Sequence, residues 1–307
     1  MIRTAIFSHW SVPNYLNRFC GFNNRRDFES SFALSAYCAK HWFKNLILYT
    51  DHQGVEDLAR VLPLFDQVKL DLQELHDNNV PSSLWAYPKI LAYSKEFEPF
   101  LHIDNDVFLW EKLPLEFLYQ GLVCQSIEYK MPIYKFCFDR ILRSPIRSSF
   151  SSYFSFYKKL LWMCGMYRKK TNNPVLTPNF GIFGGTDIDF IHYYCRKVLK
   201  ILQDSSNFLY FQKHDMGDTF NAVYEQWLFA HLAFKKNKII VPLLEPPPGY
   251  RICNEIDLKK GEAYVYKGSN NIKYTHLVGG SKRDPYLAAK VRTKATQLLP
   301  ESISKYL

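Results

Sequence analysis

The seven cysteines of this 307-residue chain include no Cys-x-x-Cys pair and show no regular spacing. That excludes a disulfide framework and points to reduced thiols. No run of about 18 consecutive apolar residues occurs, so no membrane-spanning helix is predicted. Residues Met1 to Phe7 lack the long apolar run and small-residue cleavage site of a signal peptide. The expectation is a cytoplasmic protein. There is no internal repeat and no low-complexity linker, and hydrophobic residues at 47% against 22% charged exclude a disordered chain, a collagen and a coiled coil. Acid is the scarcer charge: 29 Asp and Glu against 39 Lys and Arg leave a formal charge of +10.

A basic excess suits an anionic partner such as a phosphate, a nucleotide, a nucleic acid or a membrane surface. The excess is concentrated, because residues 129–170 hold ten Lys or Arg against Asp139 alone. The same stretch is rich in serine and aromatic residues. It reads as an insertion over residues 129–172 that is either a solvated flap or a peripheral membrane contact, with nucleic acid the least favoured partner. Aromatics at 17% of the chain are enough to fill a large core and still line a groove.

Short apolar runs alternate with helical patterns through the first 110 residues. Strands are predicted at Thr4–Phe7, Asn45–Tyr49, Gln67–Leu70 and Phe100–Ile103, with helices at 27–42, 55–62 and 84–96 between them. This is the pattern of an α/β protein with a mixed, mostly parallel, Rossmann-like sheet flanked by helices. Further on, a strand is expected around Asn179–Gly185, helices at 188–203 and 219–234, and a strand at Ile239–Val241 ended by Pro242. Late strands are expected at 264–267 and 272–277. Residues 1–284 read as a single domain, and 285–307 as a basic helical tail.

Ligands of such sheets bind beyond the carboxyl ends of the strands. Two strand ends carry acids: Thr50-Asp51, and Asp104-Asn105-Asp106. Carboxylates at i and i+2 can reach one hard cation if the backbone turns there, and Mg²⁺ or Mn²⁺ on such oxygens can carry a diphosphate. The plain alternative for Asp-x-Asp is a turn or a helix cap. Asp187-Ile188-Asp189 has the same spacing, but it precedes a helical pattern, so it is read as a cap. Near the end, His276, Gly279 and Lys282 form His-x-x-Gly-x-x-Lys. The imidazole could complete a metal site, the glycine allows close backbone approach, and the lysine offers a point charge to the same phosphate.

These motifs together resemble a GT-A fold glycosyltransferase, closest in pattern to the family-8 type that includes glycogenin and bacterial lipopolysaccharide galactosyl- and glucosyltransferases. The resemblance covers about residues 4–111 and 176–284. It implies that Asp104, Asp106 and His276 hold the metal and that Lys282 meets the diphosphate. It also implies a donor contact from Lys89, where the family usually has Arg. Asn179-Phe180-Gly181 matches the family's Asn-x-Gly strand. Glu225-Gln226 matches its acidic-plus-Gln pair facing the donor sugar, with Glu for the usual Asp. Ser8 and Asp51, at the first two strand ends, would meet base and ribose, and Asp104 the ribose as well.

The function implied is transfer of a hexose from a nucleotide diphosphate sugar, a UDP-sugar by resemblance, to a glycan or lipid-linked acceptor in bacterial surface polysaccharide synthesis. Retention of anomeric configuration is the favoured outcome. The competing readings are a sugar nucleotidyltransferase and a non-catalytic basic protein that binds membrane or nucleic acid. The first lacks the Gly-rich loop after strand one that would cradle a triphosphate.

Overall fold

The computed structural model describes residues 1–15, 19–128, 132–153, 177–215, 218–244, 274–277 and 279–305. Its strands are β1 (Thr4–His9), β2 (Asn45–Thr50), β3 (Gln67–Lys69), β4 (Phe100–Ile103), β5 (Val107–Leu109), β6 (Leu122–Glu128), β7 (Thr177–Gly185), β8 (Ile240–Leu244) and β9 (Tyr274–His276). Seven of them form one sheet in the order β3-β2-β1-β4-β7-β6-β8, in which β7 alone is antiparallel to its neighbours. β5 and β9 form a separate antiparallel pair. The architecture is the mixed, mostly parallel α/β sheet that the alternating pattern predicts.

The central strands are apolar on both faces because helices cover both. On β1, Ala5 and Phe7 enter one core while Ile6 enters the other; on β2, Leu46 and Leu48 oppose Ile47 and Tyr49 in the same way. The helix Arg25–Trp42 and the C-terminal helix Pro285–Leu298 lie against the Phe7 side. Helices Tyr87–Ser94 and Ile188–Leu202 lie against the other. The C-terminal helix is fastened to the first by an ion pair between Arg292 and Asp27 and buries Val291 and Ala295. The tail is therefore packed into the same body as the sheet.

Several boundaries differ from expectation for identifiable reasons. The helix expected at 55–62 starts earlier, at His52–Asp57, because Asp51 caps it directly at the end of β2. β8 runs through Pro242 to Leu244 instead of stopping there. It lies at the sheet edge, where a missing N–H costs no ladder bond. β5 and β6 were not expected; β5 is only three residues long, and β6 interrupts its apolar residues with Gln125 and Ser126. The helix expected at 219–234 is divided into Asp218–Ala222, one π-helical turn over Val223–Trp227, and Leu228–Lys235. Asp187 accepts from Phe190 N at 3.2 Å and caps its helix as expected.

The first part of the basic stretch is helical at Pro132–Leu142, and Cys137, Ile141, Ile146 and Phe150 enter the core. The Phe138 ring lies 4.9 Å from that of Trp227. Residues 154–176, the loop 245–249 and the strand expected at 264–267 lie outside the described residues. Among the described residues no helix is long and apolar enough to cross a membrane.

Candidate metal and diphosphate site

β4 ends at Ile103 and the chain turns through Asp104-Asn105-Asp106 into β5. The turn is held on several sides. Val107 N donates to Asp104 O at 3.0 Å, and Asp104 N donates across to Gly181 O on β7 at 3.0 Å. From the helix Arg25–Trp42, the Ser35 hydroxyl lies 2.6 Å from Val107 O and 3.1 Å from Asp104 O, and Ser31 donates to Asn105 O at 2.9 Å. The i, i+2 acids are thereby brought to one place. Pairing of β5 with β9 then sets His276 opposite Val107, and Leu277 N donates to Asp106 O at 3.0 Å. One ligand atom from each of Asp104, Asp106 and His276 lies within 4.8 Å of the others.

The ring of His276 is oriented by Gln125, a residue the sequence reading missed. Gln125 Oε1 lies 2.6 Å from His276 Nδ1 and accepts from the Tyr274 hydroxyl at 2.5 Å. An amide oxygen can only accept, so Nδ1 carries the proton and Nε2 is left with its lone pair. Nε2 faces Asp106 Oδ1 at 3.4 Å. Two acceptors facing each other in a buried site repel, and a cation between them turns that repulsion into ligation. The donor set of two carboxylates and one oriented imidazole therefore fits a divalent cation. Gly181 makes the arrangement possible. A Cβ there would run into Gln125 Oε1 and come within 2.6 Å of His276 Nδ1. A register shift between Cys124 and Ser126 is what sets Gln125 across from this glycine.

Two lysines attend the acids. Lys89 Nζ, from the helix Tyr87–Ser94, lies 2.8 and 2.9 Å from the two Asp104 oxygens and 3.1 Å from Glu225 Oε1. Lys282 Nζ lies 2.6 Å from Asp106 Oδ2. Asp106 is 1% exposed, and burial alone would raise its pKa. The charge of Lys282 outweighs burial and holds the carboxyl below the usual carboxylate range. Lys282 in turn is lowered by burial and raised by Asp106, with a net upward shift. His102, on β4 two residues before Asp104, is pushed well below its ordinary value by burial and then by the charge of Lys89, so it is neutral. Its Nε2 meets the Ser8 hydroxyl at 3.0 Å, and its Nδ1 is 3.6 Å from Asp104 Oδ1.

Glu225 sits inside the π-helical turn, an irregularity found often at functional sites. It is fully buried, and burial first, then Asp104, pushes its carboxyl up to about 7 against the opposing pull of Lys89 and Gln226. A carboxyl that holds its proton more tightly folded than unfolded stabilises the fold as pH falls through about 7 and weakens it as pH rises. Raising pH from about 5 to about 8 is therefore expected to lower the melting temperature, and Glu225→Gln to remove much of that slope. An identical slope in the variant would show that Glu225 stays ionised throughout.

The remaining expected residues fall as follows. Lys89, Asp104, Asp106, Glu225, His276 and Lys282 form one connected cluster. Gln226 adjoins Glu225 on the same turn. Asp51 is committed elsewhere: one carboxylate oxygen accepts from Gly54 N at 2.7 Å and the other from the Ser11 hydroxyl at 2.7 Å. It is 1% exposed and caps a helix. Asn179 Oδ1 accepts from Gly181 N at 2.9 Å and shapes the strand that receives Gln125. Gly279 has φ +57°, a conformation that glycine adopts freely, and no described atom lies within 4 Å of where a Cβ would stand on Gly279 or Gly280.

Comparison with known proteins yields three findings. No curated protein matches the sequence. Among solved structures, mouse xyloside xylosyltransferase 1 in its apo form aligns with a TM-score of 0.42 and 11% identity, over 90% of this chain and 97% of that one. The model of a family described as a family of unknown function, DUF6734, matches residues 4–307. With all but the first three residues inside that match, the chain belongs to the DUF6734 family.

Proposed function

We propose that this chain is a metal-dependent glycosyltransferase. It moves a hexose from a nucleotide diphosphate sugar, taken to be a UDP-sugar, to a glycan or lipid-linked acceptor, with retention of configuration. The observation that carries the reading is the convergence of Asp104, Asp106 and His276 within 4.8 Å beside Lys282. Two carboxylates, one oriented imidazole and one ammonium together suit a cation that carries a diphosphate.

Mn²⁺ or Mg²⁺ bound by Asp104, Asp106 and His276 would neutralise charge developing on the leaving diphosphate. Lys282 adds an ammonium to the same leaving group. Gly279 and Gly280 let the backbone approach it. Asp104 reaches the ribose and Ser8 stands at the nucleoside end. Lys89 holds Asp104 and Glu225 at fixed separation. Gln226 lies toward the anomeric carbon, and Glu225 positions the donor. A role in bacterial surface polysaccharide synthesis, at the inner face of the membrane through residues 129–170, completes the proposal.

The test is thermal stabilisation by a panel of nucleoside diphosphates and their sugars, each with and without Mn²⁺. A ligand bound only by the folded state raises the melting temperature by mass action. A shift for one base, lost with chelator, is expected. No shift with any member of the panel would overturn the reading.

A further inference from the structure

The two lysines at the acid pair are held differently. Lys89 is clasped between two carboxylates, Asp104 and Glu225. Lys282 has a single carboxylate, Asp106, and its other polar partner is the neutral carbonyl oxygen of Cys20 at 3.0 Å. Its stem rests beside Gly21 and its ammonium is 5.5 Å from the centre of the Phe22 ring, which fixes the root of the side chain. It belongs to the short turn Gly279–Arg283, which buries none of its residues. Moving the ammonium away from Asp106 breaks one ion pair and disturbs its contacts with Cys20 O and the Phe22 ring, but it displaces no buried residue of its own turn.

A divalent cation seated between Asp106 Oδ1 and His276 Nε2 would stand close to the Lys282 ammonium, which holds the other oxygen of the same buried carboxylate, Oδ2, at 2.6 Å. Like charges at such spacing repel by several kT where water is excluded. The two charges compete for Asp106, and an anion that accepts the displaced ammonium favours the exchange over its release to water. The open side of the same turn, at Gly279 and Gly280, gives an anion room to approach.

We propose that Lys282 is an exchangeable counter-ion. It occupies Asp106 until a diphosphate arrives to accept it, so that the divalent cation and the diphosphate enter the site as one unit. The inference rests on the reading of this cluster as a metal and diphosphate site. It assigns an order to binding: the free cation is excluded, and the diphosphate admits it. By linkage, the diphosphate raises affinity for the cation by the same factor that the cation raises affinity for the diphosphate.

The test is titration of the full-length protein with Mn²⁺, read from the electron paramagnetic resonance signal of free Mn²⁺, for wild type, Lys282→Met and Asp106→Asn. Without any anion, Lys282→Met is expected to bind Mn²⁺ about tenfold or more tighter than wild type, because the competing charge is gone. Asp106→Asn is expected to bind none. With inorganic pyrophosphate, after correction for its own complex with Mn²⁺, wild-type affinity is expected to rise about tenfold or more and that of Lys282→Met far less. Lys282→Gln replaces Lys282→Met if the latter fails to fold by near-ultraviolet circular dichroism.

Equal or weaker binding of Mn²⁺ alone by the lysine variants would overturn the exchange while leaving the metal site standing. Absence of synergy between Mn²⁺ and pyrophosphate in wild type would overturn it without reference to any variant. Failure of every protein to bind Mn²⁺, with or without pyrophosphate, would overturn both the exchange and the metal reading.

Discussion

Under the proposed function, Asp106→Asn is expected to remove the metal-dependent thermal shift and to lower turnover about a thousandfold, a loss of ~4 kcal/mol of transition-state stabilisation. The substitution keeps the volume and removes the charge from the most buried ligand of the site. A strand-end acid is expected from sequence to matter little for folding, but Asp106 is buried and paired with Lys282. Removing one member of a buried pair leaves the other uncompensated. Here the penalty is limited because the Lys282 side chain is 19% exposed and can turn to water, so a stability loss of about 1–3 kcal/mol is expected by denaturant unfolding. The two effects separate cleanly. A variant that keeps its metal-dependent shift and its turnover would remove Asp106 from the metal site, whatever happened to stability.

Gly181→Ala has a comparably large expected effect through sterics alone. The added methyl meets Gln125 Oε1 and His276 Nδ1 on the inner side of the sheet, where Gly181 O also accepts from Asp104 N. Either the strand shifts, pulling the Asp104 turn with it, or the glutamine and histidine move apart. Overpacking of this kind costs about 1–3 kcal/mol, and loss of a partner that orients a ligand costs about 10–100-fold in metal affinity. Isothermal titration with Mn²⁺ and a nucleoside diphosphate measures the second effect. Unchanged affinity would show that Gln125 does not fix the His276 ring.

The parts of this site legible in the sequence are those whose chemistry is local. Asp104 and Asp106 announce themselves because two acids follow an apolar strand, and His276, Gly279 and Lys282 because three residues suited to one anion share one short motif. Gln125 was not legible. It lies in Leu122–Glu128, an unmarked strand, and acts on a histidine 151 positions away. Its one trace is a buried amide within an apolar run. His102 was overlooked for a similar reason: a histidine inside Phe-Leu-His-Ile looks like packing until its neighbour across the strand, Ser8, is known. Asp51 poses a different difficulty. A strand-end acid and a helix cap look alike in sequence, and only the contacts with Ser11 and Gly54 separate them. The division of the helix at Glu225 has no compositional signature, since Val-Tyr-Glu-Gln-Trp suits an α-helix as well as a π-turn.

The closure of β9 onto β5 has a consequence for how the protein matures. Every described strand of the large sheet is complete by Leu244, while His276 and Lys282 come later in the chain. A nascent chain that has emerged from the ribosome only to β8 holds all the described strands of the sheet, yet its Asp104 and Asp106 lack the His276 imidazole and the Lys282 ammonium. Domains gain structure as synthesis proceeds, at about 5–20 residues per second. Under the proposed function, competence to hold the cation therefore waits for residues 274–282, which are made after the last described strand of the large sheet and before the C-terminal helix that packs against it.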